Sequence, residues 1–344
     1  MATGLRAQGT RNRSVRLSDD ERGTFARRLA RVERPVSCSD ILDRTICGDM
    51  LKVAPLLPAG FVDLLFLDPP YNLNKQFNQT SFAAVPLEEY EQHLARWIAA
   101  LIHTLKPTAT VYICGDWRSS SAIHRVAGQH FVVHNRITWE REKGRGALSN
   151  WKNAAEDIWF CSVSPSYTFH VDRVKLKRRV MAPYTSESGA PKDWQEAADG
   201  RFRLTHPSNL WTDLTVPFWS MPENTSHPTQ KPEKLLAKLL LASTDSGDVV
   251  LDPFLGSGTA SVVARKLGRH FVGIEIDEEY CCIAEKRLAM AEESPEIQGY
   301  SGGVFWERNT FAHQRERRVG GAAAQSEKER MQNAEQHLLF QRLP

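Results

Sequence analysis

An apolar stretch that runs directly into a carboxylate and two prolines is the feature that most constrains the fold. In residues 62–67 (VDLLFL), five of six side chains are apolar, which is typical of a parallel strand buried on both faces. Asp68-Pro69-Pro70-Tyr71 follows at once, and consecutive prolines restrict the backbone and remove two N–H donors. Because ligands of open α/β sheets bind at the carboxyl ends of strands, this segment is a candidate site. A surface turn is the alternative.

Strand and helix patterns alternate on both sides of an irregular middle segment. Apolar stretches predict strands at 45–49, 62–67, 110–115, 131–133 with 136–139 (a pair or one long strand), 158–161, 249–252 and 271–275. Helical spacing predicts helices at 19–32, 86–105, 119–127, 232–240, 259–267 and 277–291. Between about 140 and 225 this periodicity fades, while basic residues, Trp, Ser and Pro become common. The pattern predicts an α/β fold with one doubly wound, mostly parallel sheet and an inserted recognition segment.

The composition is that of a globular protein without a membrane segment. Hydrophobic residues make up 41% and charged residues 25% of the 344, and the net charge of +3 does not identify a partner. No apolar run approaches about 18 residues, and the start lacks the apolar core of a signal peptide, which predicts a cytoplasmic protein. The six cysteines show no paired metal-ligand spacing, so we expect reduced thiols and no metal.

A glycine-rich turn follows the strand predicted at 249–252. The stretch 252–259 (DPFLGSGT) leads from that strand into a helix, and such turns let backbone approach a ligand closely. The next strand ends in Glu275, seventeen residues beyond Gly258, which matches an acid that binds a ribose diol; a carboxylate capping the next helix is the alternative. The turn lacks the third glycine of a dinucleotide fingerprint and the Gly-Lys of a P-loop. An adenosine-type cofactor with an anionic end fits this pattern.

These segments, taken in order, resemble the amino-group DNA methyltransferases of the β arrangement. In that family the catalytic motif precedes the S-adenosylmethionine motif, with the target-recognition region between them. Residues 68–71 (DPPY) are similar to the catalytic motif and 252–258 (DPFLGSG) to the cofactor motif. Residues 227–232 (HPTQKP), 48–49 (GD) and 273–275 (GIE) are similar to further motifs of the family. The resemblance covers about 44–291 apart from the insertion, and it implies a Rossmann-like fold.

The resemblance implies methyl transfer from S-adenosylmethionine to an exocyclic amino group of a base. The catalytic residues would be Asp68, Pro69, Pro70 and Tyr71, with the Asp68 carboxylate and the Pro69 carbonyl accepting the amine hydrogens and Tyr71 stacking on the base. A base inside a duplex cannot reach such a pocket, so it must flip out. The residues expected to bind the cofactor are Asp49, Asp252, Phe254, Gly256, Ser257, Gly258, Thr259, Glu275, Thr229 and Lys231.

The composition and the resemblance together divide the chain into five segments. They are a basic N-terminal extension (1–34), the catalytic half of the methyltransferase domain (35–139), the target-recognition and DNA-contact region (140–225), the cofactor-binding half (226–293) and a loosely ordered C-terminal tail (294–344). The extension holds nine arginines against four acids, and residues 18–21 (SDDE) have capping-box spacing. We expect residues 1–17 to be disordered.

Double-stranded DNA is the partner that the resemblance implies. Basic side chains would contact phosphates, and a few others would read bases in the major groove, although a solvated face would have the same composition. Asn72 and Lys75 extend the catalytic segment and are expected to line its pocket, with a phosphate contact or plain solvent exposure as the alternatives for Lys75. The other residues expected to contact the substrate or DNA are Arg136, Lys143, Arg145, Lys152, Arg173, Lys175, Lys177, Arg178 and Arg179. A homodimer and the cognate restriction endonuclease of a restriction-modification system are further partners that the sequence leaves open.

The target base and the activity have alternatives. In the family, Asp at the first motif position is commonest in enzymes acting on adenine N6, whereas Ser is usual in those acting on cytosine N4. Asp68 therefore favours adenine, although N4-cytosine transfer would use the same acceptor geometry. An RNA or protein-glutamine methyltransferase is disfavoured by the motif order, and a DNA-binding relative without catalysis by the completeness of both motifs.

Overall fold

Fifteen strands and eight α-helices make up the part of the chain that the structure describes. The computed structural model describes residues 12–77, 80–141, 149–180, 184–197 and 200–307. The strands, numbered in chain order, are β1 Arg44–Cys47, β2 Val62–Leu67, β3 Lys75–Phe77, β4 Thr80–Phe82, β5 Leu105–Gly115, β6 Val132–Glu140, β7 Ala155–Ser162, β8 Leu176–Arg179, β9 Gln195–Ala197, β10 Gly200–Thr205, β11 Leu210–Trp211, β12 Val249–Asp252, β13 His270–Glu275, β14 Tyr300–Ser301 and β15 Val304–Trp306. The helices are α1 Asp19–Ala26, α2 Cys38–Ile41, α3 Met50–Val53, α4 Leu87–Leu101, α5 Ser120–His130, α6 Glu233–Ser243, α7 Thr259–Lys266 and α8 Glu278–Glu293. None of these helices has the length and apolar character that a membrane span requires.

Eight strands form a central sheet in the order β1-β13-β12-β2-β5-β7-β6-β11. Neighbouring strands are parallel except for β7, which runs antiparallel to both β5 and β6. The predicted doubly wound, mostly parallel sheet is therefore confirmed. Residues 131–133 and 136–139 belong to one long strand, β6.

Helices cover both faces of the sheet, which explains the unbroken apolar pattern of β2. Leu64 and Phe66 pack in one cluster with Leu235 of α6, whereas Leu65 and Leu67 pack in a second cluster with α4 and α5. Successive side chains of a strand point to opposite faces, so a strand between two helical layers needs apolar residues at nearly every position.

Helix α4 ends earlier, and strand β5 begins earlier, than the sequence pattern predicts. The helix stops at Leu101, a 3-10 turn covers Ile102–Thr104, and β5 then runs through Pro107. Proline is tolerated there because the ladder between β5 and β7 starts only at Thr110. The leucines at helical spacing up to Leu105 predicted a continued helix instead of the early start of β5.

The inserted region contributes to two different sheets. β7 and β11 lie within residues 140–225 but belong to the central sheet, so the boundary predicted at residue 140 does not separate sheet from insertion. The reason is that β7 follows β6 along the chain and pairs back on it, as consecutive antiparallel strands readily do. Strands β8, β9 and β10 instead join β14 and β15 in a second sheet of order β14-β15-β8-β10-β9.

The prediction of a loosely ordered tail is wrong for residues 294–307. β14 and β15 form a hairpin whose turn contains Gly302 and Gly303, with φ angles of 62° and 75° that favour glycine. The amide of Phe305 donates to the carbonyl of Lys175 at 2.9 Å, which adds β15 to β8. Strands of two and three residues carry too little periodicity to be recognised in a sequence. Residues 308–344 lie outside the described part of the chain.

Residues 12–17 of the N-terminal extension are ordered, contrary to the prediction. The amide of Val15 donates to the carbonyl of Asn224 at 2.7 Å, and the Val15 side chain is buried. The capping box at the start of α1 is confirmed, but the helix ends at Ala26 rather than near 32. Beyond it the chain is extended, because Ala30 pairs with Ile46 of β1. Both pairings join residues far apart in sequence, which local patterns cannot show.

Candidate active site

The carboxyl ends of β2 and β12 lie side by side. The strands are parallel neighbours with Leu65 opposite Leu251, so the segments beginning at Asp68 and Pro253 leave the sheet at the same edge. From this junction the chain continues to β5 on one side and to β13 on the other, which makes it the topological switch point where α/β sheets bind ligands. A cavity of about 330 Å³ opens here, within the range of small-molecule sites.

The cavity joins the two predicted motifs. The predicted site residues that line it are Asp49, Asp68, Pro69, Pro70, Tyr71, Thr229, Lys231, Phe254, Gly256 and Glu275. Those that lie nearby without lining it are Asn72, Asp252, Ser257, Gly258 and Thr259. Residues separated by about two hundred positions in the chain therefore face one space.

Within residues 68–71, the carbonyls of Pro70 and Tyr71 both accept hydrogen bonds from the chain itself. The hydroxyl of Tyr90 donates to the carbonyl of Pro70 at 3.2 Å. Within the described chain no hydrogen bond reaches the carbonyl of Pro69. Of the two proline carbonyls, that of Pro69 is thus the one available to a ligand.

The side chain of Lys231 contacts the segment 68–71 rather than the glycine turn. Its Nζ lies 2.8 Å from Oδ1 and 2.6 Å from Oδ2 of Asp68, and 5.2 Å from the centroid of the Tyr71 ring. Only 5% of the Lys231 side chain and 17% of the Asp68 side chain are exposed. Because buried charges are tolerated when they are paired and hydrogen bonded, the two groups hold each other in place.

Two residues that the sequence did not single out, Glu156 and Arg141, complete this side of the cavity. The Arg141 guanidinium pairs with Glu156, and the Tyr71 hydroxyl donates to Oε2 of Glu156 at 3.3 Å. Burial and the nearby charge of Asp68 raise the pKa of Tyr71, so its hydroxyl stays protonated. Because β7 is antiparallel to β5, its start lies where the parallel strands end, which places Glu156 at the cavity.

The two glycines of the turn have different roles. Gly256 and Gly258 both have positive φ angles, 53° and 84°. Gly256 lines the cavity, and its amide donates to Oε2 of Glu275 at 2.8 Å. A Cβ on Gly258 would instead lie 2.5 Å from the Cβ of Ala284 in α8. The close approach that Gly258 permits is therefore between backbone and helix, not between backbone and ligand.

Ser257 and Thr259 do not line the cavity, and their hydrogen bonds stabilise the turn. The Thr259 hydroxyl donates to the carbonyl of Lys231 at 3.1 Å. The buried guanidinium of Arg287 donates to the carbonyl of Ser257 at 2.8 Å and to the Thr259 hydroxyl at 3.0 Å. These contacts connect the cofactor turn and α8 to the segment that carries Lys231.

Carboxylates occupy the ends of the three strands on the cofactor side. Asp252 accepts from the amide of Phe254 at 3.1 Å, and burial raises the pKa of Asp252 well above its usual range. Glu275 accepts from the amides of Gly256 and Asp277, both at 2.8 Å, and burial raises its pKa as well. Asp49 follows β1, the neighbour of β13, and caps α3.

Among the described side chains, those predicted to contact the substrate or DNA do not line the cavity. The side chain of Asn72 connects the loop after Tyr71 to Val85. It donates to the Val85 carbonyl and accepts from the Val85 amide, both at 2.8 Å. Arg136 and Lys152 are exposed. Lys143 and Arg145 lie outside the described residues, as does the side chain of Lys75 in β3.

The basic cluster 173–179 is partly engaged in local contacts. Arg173 pairs with Asp245 and Lys175 with Asp172, each at 2.8 Å. The ammonium of Lys177 lies 4.2 Å from the ring centroids of both Phe202 and Trp306. Arg178 is half-buried on β8, and Arg179 is exposed at its end.

Neither the six cysteines nor the metal-ligating side chains of the described residues form a further centre. All six cysteines are free. Cys281 Sγ donates to the carbonyl of Glu275 at 3.4 Å. In the described ranges, no group of three or more His, Cys, Asp or Glu side chains is placed to hold a metal ion.

Comparison with known proteins identifies the family. Residues 62–286 match the model of the DNA methylase family N6_N4_Mtase. The chain is 32% identical to the type II methyltransferase M.HpaI of Haemophilus parainfluenzae over 71% of this chain and 74% of that protein. It is 33% identical to the DNA adenine methyltransferase YhdJ of Escherichia coli (strain K12) over 72% of this chain and 82% of that protein. The chain therefore belongs to this family of amino-group DNA methylases, and it is an S-adenosylmethionine-dependent DNA methyltransferase.

A solved structure shares the fold. The PvuII DNA methyltransferase (cytosine-N4-specific) superposes with a TM-score of 0.50 at 16% identity, over 73% of this chain and 92% of that one. At this identity the similarity concerns the fold alone.

The cavity has the chemical character that S-adenosylmethionine requires. This cofactor carries a sulfonium and an ammonium group, and an excess of negative charge attracts cations. Six carboxylates line the cavity against one lysine and one arginine: Asp49, Asp68, Asp116, Glu156, Glu275 and Asp277. An aromatic face is present as well, because the rings of Phe254 and Trp97 pack edge to face at 5.3 Å. The residues present fit the cofactor.

Proposed function

We propose that this protein transfers a methyl group from S-adenosylmethionine to the N6 amino group of an adenine flipped out of duplex DNA. The observation that carries the proposal is the shared cavity, lined at one part by Asp68 and Tyr71 and at the other by Asp49 and Glu275. One continuous space can hold both the methyl donor and the amine. When bound, the cofactor supplies an electrophilic methyl group.

The chain's own residues would activate the amine. An exocyclic amine is a poor nucleophile because its lone pair is delocalised into the ring. Acceptors directed at its hydrogens favour the pyramidal form, and the Asp68 carboxylate and the Pro69 carbonyl are available for this. Tyr71 would stack on the base, and Glu275 would bind the ribose hydroxyls of the cofactor. No covalent intermediate is needed.

Adenine is favoured as the target over cytosine. Asp68 occupies the first motif position, and a relative at 33% identity carries the name adenine methyltransferase. N4-cytosine transfer would use the same acceptors, and the product analysis below distinguishes the two.

Duplex DNA must deliver the base into the cavity. The Asp68 side chain is largely buried, so a stacked base cannot reach it, and flipping costs a few kcal/mol. The exposed side chains of Lys152 and Arg179 are available to phosphates, as is the exposed Arg136, whose Nε lies 3.7 Å from Asp157. Lys177 instead lies against the rings of Phe202 and Trp306. A homodimer and a cognate restriction endonuclease stay predictions.

Nucleoside analysis tests the proposal. DNA from a methylation-free host that expresses the protein is digested and examined by mass spectrometry. We expect N6-methyladenine with the wild type and with Glu293→Ala, an exposed acid at the end of α8. Asp68→Ala should yield none while retaining cofactor binding in calorimetry. N4-methylcytosine alone would establish cytosine as the target, and full activity of Asp68→Ala would contradict its catalytic role.

A further inference from the structure

The Asp68–Lys231 pair offers two hydrogen-bonding groups of opposite sense. A carboxylate only accepts and an ammonium only donates. In the cavity the Lys231 Nζ lies 2.8 Å from Oδ1 and 2.6 Å from Oδ2 of Asp68. Adenine presents the complementary pair on its Watson–Crick edge, where the N6 amine donates and the adjacent ring nitrogen N1 accepts.

We propose that Lys231 recognises ring nitrogen N1 of the target adenine while Asp68 accepts a hydrogen from its N6 amine. The inference rests on the proposed function, since it requires an adenine in this cavity. Enzymes that flip a base read it through hydrogen bonds to its Watson–Crick edge and by stacking. Asp68 and Lys231 together would imitate the edge of a pairing base.

The hydrogen-bonding capacity of the two groups permits this arrangement. An ammonium has three N–H groups, and two of those on Lys231 are accounted for by the oxygens of Asp68. Oε2 of Glu156 lies 3.6 Å from Nζ, beyond normal hydrogen-bond length. A carboxylate has about four acceptor positions, so Asp68 can accept from the amine and keep Lys231.

Lys231 is held firmly enough to require a ring acceptor beside the amine of the bound base. Its carbonyl accepts from the Thr259 hydroxyl at 3.1 Å, and its side chain is buried against Asp68 and the ring of Tyr71. A base stacked on Tyr71 would lie within reach of both members of the pair. If an acceptor is missing opposite a buried donor, the desolvation of that donor is not compensated.

Deaza analogues of adenine test the role of N1. The full-length protein is assayed on duplexes that carry its methylated sequence, found beforehand by sequencing, with 1-deaza-, 3-deaza- or 7-deazaadenine at the target. The target faces an abasic site in every duplex, so that loss of N1 leaves base pairing unchanged. 1-Deazaadenine lacks N1, whereas the other two analogues keep it and control for altered ring electronics.

We expect the wild type to use 1-deazaadenine with a kcat/KM about tenfold to hundredfold below that for adenine. The 3-deaza and 7-deaza analogues should stay within about threefold of adenine. Equal use of adenine and 1-deazaadenine, or a loss confined to 7-deazaadenine, would overturn the proposal. If no DNA acquires N6-methyladenine at all, the proposed function fails instead.

Lys231→Met assigns the effect to this side chain. The variant should show the same kcat/KM for adenine and 1-deazaadenine within about threefold, whatever its overall activity. If turnover is too slow to measure, the Kd values for the same two duplexes are compared. A lysine that only neutralises Asp68 would lower both values equally, and a ratio left at the wild-type level would refute the assignment.

Discussion

Replacing Gly258 by alanine should destabilise the whole fold rather than only weaken the cofactor site. At a φ of 84°, alanine must adopt a left-handed conformation, which costs about 1–2 kcal/mol. Its Cβ would lie 2.5 Å from Cβ and 2.9 Å from Cα of Ala284. Because that Cα belongs to the backbone of α8, a side-chain rotation cannot relieve the clash. Overpacking therefore adds about 1–3 kcal/mol to the loss of stability. The expected loss of about 2–5 kcal/mol is a large part of a domain's stability.

Gly247→Ala is a matched control for this prediction. Gly247 has a φ of 86°, but a Cβ there meets no neighbouring group within 4 Å, so only the conformational cost of about 1–2 kcal/mol applies. Urea unfolding followed by tryptophan fluorescence, without cofactor, gives the free energy of unfolding of each variant. Gly258→Ala should lose about 1–3 kcal/mol more than Gly247→Ala.

The comparison also separates two roles of the glycine turn. If Gly258 served to admit the cofactor, the two variants would unfold alike, and only Gly258→Ala would lose affinity for S-adenosylmethionine in calorimetry. Equal losses of stability would therefore refute the argument that Gly258 is required by the packing of α8.

Three further changes test the site and its support. Tyr71→Ala should lower kcat/KM for DNA about tenfold to hundredfold, since stacking contributes about 1–3 kcal/mol. Tyr71→Phe keeps the ring but loses the hydrogen bonds of the hydroxyl, including the 3.3 Å bond to Glu156, and should stay within about threefold of the wild type. Equal losses in the two variants would contradict stacking. Glu275→Ala should weaken S-adenosylmethionine binding about tenfold or more in calorimetry, whereas Glu293→Ala should not, and unchanged affinity of the first variant would remove Glu275 from the cofactor site. Burial raises the pKa of Glu223 from 4.5 to about 8. The stability that this protonated carboxyl contributes is therefore fully present below about pH 4.5 and is lost as the pH rises through about 8. Over that range the free energy of unfolding falls by at most about 1.4 kcal/mol per pH unit. In urea unfolding between pH 5 and 9, Glu223→Gln should abolish that part of the decline, and identical pH profiles of wild type and variant would contradict the buried, protonated state.

The part of the site that follows strand ends could be predicted from the sequence. Asp68 and Tyr71 come directly after a strand marked by its continuous apolar pattern, and Phe254, Gly256 and Glu275 are marked by a glycine turn and the next strand end. In a parallel sheet the carboxyl ends share one edge. Local signals therefore sufficed to bring these residues to one cavity.

The rest depends on contacts that no local signal carries. Glu156 and Arg141 reach the cavity only because β7 runs antiparallel to β5. Nothing in the local sequence distinguishes a glutamate at the start of this strand from one on the surface. Lys231 was assigned to the cofactor side, yet it pairs with an aspartate 163 positions away. The order of residues 12–17 likewise depends on pairing with residue 224.

The sequence motifs divide the site into a predicted catalytic half and a predicted cofactor half, but side-chain contacts join the two halves. The side chain of Lys231 pairs with Asp68, while its carbonyl accepts from Thr259 of the cofactor turn. Arg287 in turn bonds Thr259 and Glu233 at the start of α6. Since Lys231 lies two residues before Glu233, this network fixes its backbone from both the turn and the helix. The position of the Asp68 carboxylate therefore depends on a correctly folded glycine turn. A substitution at Thr259 should displace Asp68 even though the two side chains are not in contact.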